Sequence, residues 1–486
     1  MKDNRYQALS ILLQVEKRLK KDDVACKAFR EQFNDFIERK VIRELSQEEM
    51  DNYKGPVNYI SIFEVKKEDS ASTPIRIVSN SSLKYEGMSF SDTLMKGPNT
   101  LNDLYKVLLK FRTYPVALVG DLAKMYHTVL TTEKELHLRR ILWRDMKLDE
   151  EPKTYGPLVV MFGDKCAPAI TSAAIRETAD LYSHIDKVAA EKIKDDMYVD
   201  DMATGGDNHE ETELLKKNAS TIMEKGGFHF KGFVMSGDTK EENIALLGTG
   251  EVGRVLGIGW NPTEDAFVVN VRINTSKKFK GARKGPDMTK EEIPSLIKEK
   301  FSRRLLLGLT NSIYDVYGFL VPITIQLKIL LRETYKNDLN LRWDDDIPQE
   351  LKEKAVAVLL LAKEAEKLRF ERCISGEVGE GLPTLIIFND GSKLAMCAVA
   401  FIRWRLKSGE YHSKFIAAKA KVTPLERMTI PRSEMQSALI GVRLSKVIQE
   451  ACGYEYEEVV HITDSQCSIA TLAKDSTALK EFMANR

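Results

Sequence analysis

The chain has 486 residues, of which 43% are hydrophobic and 30% charged, with 28 Gly and 15 Pro. This composition excludes a collagen-like, low-complexity or disulfide-scaffold protein, and the length suggests about three domains. Lys and Arg number 73 and Asp and Glu 72, a net charge of +1, so bulk charge indicates no polyanionic partner, although a basic groove needs only local clustering.

Residues 1–5 are charged and lead into an amphipathic pattern, not a signal peptide. No apolar run approaches the ~20 residues of a membrane span. Six scattered cysteines (Cys26, Cys166, Cys373, Cys397, Cys452, Cys467) form no CxxC pair, which fits free thiols in a reducing compartment. The expected location is intracellular and cytoplasmic, with no membrane partner.

Taken in chain order, 5–50 read as helices, from Leu9, Leu12, Val15, Leu19 and then Phe29, Phe33, Phe36 and Val41 at helical spacing. Short strands follow at 75–79 and 116–120, with an amphipathic helix over 101–111 between them. A strand is expected at 158–162, a helix over 167–188, strand pieces around 197–204 and a helix over 210–225 that stops at Gly226-Gly227. A hairpin of 255–260 with 266–271 follows. Residues 271–310 carry eleven Lys or Arg against four acids. Charge alone favours a solvated face there over a phosphate contact. Helices dominate 303–370. Strands at 385–388, 397–406 and 415–422, a helix over 433–450 and a strand at 459–463 complete a compact α/β unit.

Carboxylates carry the chemistry. Tyr198-Val199-Asp200-Asp201 sets two adjacent acids in a tight turn, where they repel unless a divalent cation lies between them. Val116 to Gly120 is an apolar strand that delivers Asp121 at its end. Either feature alone can be a polar turn or a helix cap. Together they favour a site that clamps both oxygens of an in-line phosphoryl displacement. A second set comprises Asp390 at a strand end, Glu434 at a helix start and Asp464 at another strand end.

The ordered set resembles the reverse transcriptases of BEL/Pao-type LTR retrotransposons, from about residue 5 to the end. Asp121-Leu122-Ala123-Lys124-Met125-Tyr126-His127 is similar to that family's first catalytic motif, and Tyr198-Val199-Asp200-Asp201 to its polymerase box. Phe162-Gly163 with Pro168 matches the template- and nucleotide-contacting turn. Gly226-Gly227-Phe228 with Lys231 resembles the next motif, 255–260 the primer-grip hairpin, and 75–78 the fingers strand. Two departures are Asn80, where the family has Asp, and Tyr314-Asp315-Val316-Tyr317-Gly318, where it has Tyr-Asp-Pro-Leu-Gly. Ala418 to Pro424 and Thr429-Ile430-Pro431-Arg432-Ser433-Glu434 resemble the family's ribonuclease H region. The family's fourth acid lies further on and the sequence stops at Arg486, so an incomplete ribonuclease H domain is expected. The peptidase tripeptides Asp-Thr-Gly and Asp-Ser-Gly do not occur.

The resemblance implies an α+β multidomain fold: a right-hand polymerase with fingers, palm and thumb, followed by an α/β ribonuclease H-like domain. Its boundaries would be 1–270 for fingers and palm, 271–380 for thumb and connection, and 381–486 for ribonuclease H. Asp121, Asp200 and Asp201, and separately Asp390, Glu434 and Asp464, would be catalytic and hold Mg2+, with Mn2+ the alternative ion. Arg76 and Lys231 would meet the triphosphate, Tyr126 the sugar, and Phe162 and Gly163 the template and nucleotide. Implied partners are an RNA template, a DNA primer, the RNA–DNA hybrid and deoxynucleoside triphosphates. The alternative is a catalytically silent or domesticated remnant that at most binds nucleic acid.

Overall fold

The computed structural model describes residues 3–66, 75–248, 253–375, 381–425 and 428–484, apart from 277, 280, 281, 284 and 480. The first two helices, Arg5–Leu19 and Asp23–Glu38, lie where the spacing predicts them. Asp22 caps the second by accepting from the Ala25 N–H. Their apolar faces meet a small sheet ordered Ile42–Glu44, Lys153–Pro157, Ile141–Trp143. Phe29 and Phe33 pack on Trp143 at 4.9 and 5.4 Å between ring centroids. An antiparallel pair of strands, Ile62–Lys66 with Ile75–Ser79, joins the same core.

The central sheet is antiparallel throughout, ordered Phe230–Met235, Val116–Leu122, Asp201–Gly206, Met197–Tyr198. Helices Ala167–Leu181, Lys187–Asp196 and His209–Lys225 bury Ile175, Ile193, Ala219 and Ile222 in one core with Leu118 and Met202 of the sheet. Asp103 caps the Leu104–Phe111 helix through the N–H groups of Tyr105 and Lys106.

Four local expectations need correction. The strand expected at 158–162 lies earlier, at Lys153–Pro157; the apolar run after it is buried connector with one bridge, Leu130 to Val159. The helix expected over 167–188 ends at Leu181, and Asp186 caps a new one, Lys187–Asp196. Residues 255–260 are not one strand: Leu256 and Gly257 both take positive φ and turn Gly253–Val255 back on Ile258–Asn261. Residues 42–44, inside the expected helical stretch, form a strand.

Helices Arg303–Ser312, Val321–Glu333 and Gln349–Glu364 share a separate core that includes Leu306, Leu327 and Leu359. The basic excess of 271–310 is partly neutralised here. Arg272 pairs with Asp287, Arg304 with Asp344 and Lys290 with Glu364, while Arg303 is buried against Thr334 and Tyr335.

The C-terminal sheet is ordered Tyr411–Val422, Ala395–Arg405, Thr384–Gly391, Glu458–Ile462. Its first three strands are antiparallel and the last pair parallel, crossed by the Ile430–Cys452 helix. This α/β unit does not stand apart. Leu108, Phe111, Trp260 and Phe267 share one core with Leu385, Ile387, Ala398 and Ile448. Two buried arginines stitch the seam. Arg112 donates to the carbonyls of Glu371, Arg372, Phe415 and Ile416. Arg372 donates to the carbonyls of Phe111, Tyr114 and Pro115 and forks onto Asp265 at 2.6 and 2.7 Å. The departing motif belongs to the same seam: the Asp315 carboxylate accepts three backbone N–H groups, and the Tyr317 hydroxyl donates to the Leu108 carbonyl at 2.6 Å. All six cysteines are free. Among the described residues, no helix is long and apolar enough to cross a membrane.

Candidate functional site

The central sheet brings the first three acids together by register. Asp121 lies directly opposite Asp201 across the antiparallel ladder, and Tyr198 pairs with Asp201 on the other side. Val199 and Asp200 therefore form the two-residue turn between the strands. Val199 takes φ 58, a left-handed conformation that costs a β-branched residue on the order of 1–2 kcal/mol. The Leu122 N–H bonds the Asp200 carbonyl at 2.9 Å and ties the turn to the Asp121 strand.

The electrostatics are those of crowded anions. Burial, then Asp200 and Asp121, pushes the Asp201 carboxyl up to about 7. Burial, then Asp121, raises Asp200, against the pull of Lys231 and Arg76. The Lys231 ammonium donates to both Asp121 oxygens at 2.9 and 2.8 Å. Burial raises the Tyr126 hydroxyl and the Asp200 charge raises it further. Arg76, Tyr126 and Lys231 thus all act on the same acids. A donor set of half-buried carboxylates that repel one another suits a hard divalent cation.

Phe162 and Gly163 sit beside Tyr126. The Tyr126 and Phe162 rings meet edge to face at 4.9 Å. Gly163 has φ 107, and a Cβ there would lie 2.6 Å from the Ser79 carbonyl oxygen, so only glycine fits. The Ser79 hydroxyl in turn donates to the Phe162 carbonyl. His127 is wedged between Phe36 and Phe162 with neither ring nitrogen hydrogen-bonded, and burial pushes it down to about 4, so it is neutral. Asp164, next in sequence, is a buried structural partner of Arg139 and Ser81.

The second set is tighter. Asp390, Glu434 and Asp464 each offer a carboxylate oxygen, all within 4.8 Å of one another, and among the described residues they are the one group of three this close. Asp121, Asp200 and Asp201 are less gathered, with Asp121 turned onto Lys231. Glu434 is buried, and desolvation followed by Asp390 and Asp464 raises its carboxyl. Three acids converging around one buried member fit a divalent metal by donor chemistry alone.

Gly391, which the motif reading passed over, makes this convergence possible. A Cβ on it would lie 2.5–2.6 Å from the backbone of Ser433 and Glu434. Strand and helix therefore touch, and the Gly391 N–H reaches Glu434 Oε2 at 3.2 Å. Its one sequence signal is a Gly directly after a strand-end Asp. Asp196 was also missed. It is fully buried and held by Lys110 at 2.7 Å, Tyr114 at 2.7 Å and Thr204 at 2.6 Å, supporting the strand before the Val199–Asp200 turn.

Residues 302–465 match the family described as the Pao retrotransposon-like RNaseH-like domain. Three solved structures are similar. The foamy viral protease-reverse transcriptase dRH in complex with double-stranded DNA is 15% identical with TM-score 0.51, over 90% of this chain and 62% of that one. The foamy viral protease-reverse transcriptase with an RNA/DNA hybrid is 16% identical with TM-score 0.50, over 91% and 48%. The same protein with double-stranded DNA is 14% identical with TM-score 0.52, over 92% and 76%. The chain thus spans less than two thirds of the first two. At these identities the likeness shows the fold, a mixed α/β architecture with a ribonuclease H-like part. No curated protein sequence matches the chain at a significant level. The family match covers residues 302–465, about a third of the chain, and the fold likeness of the whole chain is consistent with it.

Proposed function

We propose that the chain is an RNA-directed DNA polymerase joined to a ribonuclease H-like module. The observation that carries this reading is the register that sets Asp121 against Asp201, with Asp200 in the turn that precedes the Asp201 strand, Lys231 bound to Asp121, and Arg76 and Tyr126 within electrostatic reach of Asp200. Under it, 1–270 form fingers and palm, 271–380 thumb and connection, and 381–486 the ribonuclease H-like domain. The substrates are an RNA template, a DNA primer and deoxynucleoside triphosphates, and the product hybrid is the substrate of the second site.

Asp121, Asp200 and Asp201 would hold divalent cations, Mg2+ or Mn2+, in the first site, and Asp390, Glu434 and Asp464 in the second. When bound, such ions neutralise phosphate charge and lower the pKa of the attacking hydroxyl or water. The chain's own groups do the rest. Lys231 exchanges its contact with Asp121 for the triphosphate, which Arg76 also faces. Tyr126, braced by Phe162, lies under the sugar and leaves no room for a 2′-hydroxyl. Phe162 and Gly163 present a turn pinned by Ser79 to the templating base.

The ion pair of Lys231 with Asp121 favours a second reading, a nucleic-acid-binding remnant whose polymerase acids are neutralised from within. Primer extension on an RNA template with Mg2+ decides. We expect synthesis by the native chain and none by a folded Asp200→Asn variant; undiminished synthesis by the variant would refute the polymerase reading.

A further inference from the structure

A shallow cleft borders the turn at Val199 and shares no residue with the one lined by Asp121, Asp201 and Lys231. Thr100, Asn102, Pro168, Ser172 and Arg176 line it as well. Two features distinguish its wall. The half-buried Arg176 guanidinium has a single hydrogen-bond partner among the described residues, the Asn102 side-chain oxygen at 2.7 Å, and no carboxylate. Lys194 in the same cleft is neutralised by Asp180 at 2.7 Å. Asn102 is fixed in this orientation because its amide nitrogen donates to the carbonyls of Lys194 and Met197, both at 2.8 Å. The Thr100 hydroxyl is buried with no hydrogen-bond partner.

A neutral amide oxygen orients a guanidinium but does not offset its charge. A partly buried cation without a counter-ion is unfavourable unless an anion arrives with the ligand. Arg offers a planar fork that matches phosphate oxygens. From the geometry we infer that Arg176, positioned by Asn102, binds a backbone phosphodiester of the nucleic-acid strand that passes the Val199 turn. This rests on the polymerase reading above and adds to it a phosphate subsite outside the acid cluster.

The test uses the full chain and a labelled RNA/DNA template–primer, with affinity measured from low to high KCl. One phosphate contact contributes roughly 0.7–0.9 to the slope of log affinity against log salt. We expect Arg176→Met to flatten the slope by about one contact and to weaken low-salt binding about tenfold, and Arg176→Lys to recover most of the slope. Single neutral methylphosphonate linkages, walked along the template and then the primer, should reveal one position that weakens the native chain but not Arg176→Met; the strand that carries it is the bound one. Equal slopes for the native chain and Arg176→Met would overturn the inference, as would a raised KM for deoxynucleotide with hybrid binding intact. If Arg176→Met fails to fold, the linkage walk on the native chain decides alone, and no sensitive position in either strand overturns it. A native chain that binds no hybrid would overturn the polymerase reading itself.

Discussion

Asp201 gives a stability prediction that does not depend on turnover. Its carboxyl is pushed from an ordinary 3.8 up to about 7, first by burial and then by Asp200 and Asp121. A carboxyl raised on folding favours the native state fully below its unfolded pKa, and that contribution is lost as pH rises through the folded value. The difference corresponds to up to ~4 kcal/mol at 1.36 kcal/mol per pH unit. Asp201→Asn keeps the shape and removes the charge. In EDTA, the variant should match the native chain near pH 4 and exceed it by up to ~4 kcal/mol at pH 8, most of the divergence falling between pH 4 and 7. Guanidinium denaturation of both chains across that range measures it. Mg2+ should then stabilise the native chain more than the variant and narrow the gap, because a ligand that binds only the folded state adds to its stability. A gap that does not change with pH, or its absence at pH 8, would refute the argument that the acids are held together against their own repulsion.

Three further outcomes follow from contacts described above. Gly391→Ala puts a methyl 2.5–2.6 Å from the Ser433 and Glu434 backbone, so the helix must withdraw; a loss of about 1–3 kcal/mol and weaker Mn2+ stabilisation in thermal melts are expected, and unchanged Mn2+ stabilisation would contradict this. Arg372→Met leaves the Asp265 carboxylate with only the Trp260 Nε1–H and deprives three carbonyls of their donor, with an expected loss of about 3–5 kcal/mol; adding Asp265→Asn, which removes the charge and suits the left-handed backbone there, should restore part of it, and a double variant no more stable than the single one would count against the pairing. Under the proposed function, Tyr126→Ala should admit ribonucleotides into extension products while retaining some deoxynucleotide incorporation, and an unchanged ratio between the two sugars would remove Tyr126 from the proposed sugar contact.

The acid motifs were legible as candidates because they are local. An acid at the end of an apolar strand and a doubled acid in a turn keep their meaning without knowledge of the rest of the fold. The long C-terminal strands were legible for the same reason: alternating burial along 384–391 and 395–405 leaves a period-two signature. Residues 158–162 misled because an apolar run reports burial, not ladder pairing. Residues 167–188 misled because the cap that splits them, Asp186, is one acid among many in a charged sequence. The basic stretch was ambiguous because its counter-ions, Asp344 and Glu364, lie about 40 and 74 residues downstream of Arg304 and Lys290. The seam at Arg112 and Arg372 left no trace, since most of its acceptors are backbone carbonyls, which every sequence possesses.

That seam also bears on how the two acid clusters work together. A flexible tether would let the C-terminal unit sample many positions. Arg112 and Arg372 instead bolt its strands to the base of the central sheet, through a core that both parts complete. Under the proposed function the molecule is then a ruler: a hybrid leaving the first cluster meets the second after a set number of base steps, and the shortest RNA fragment it releases records that span.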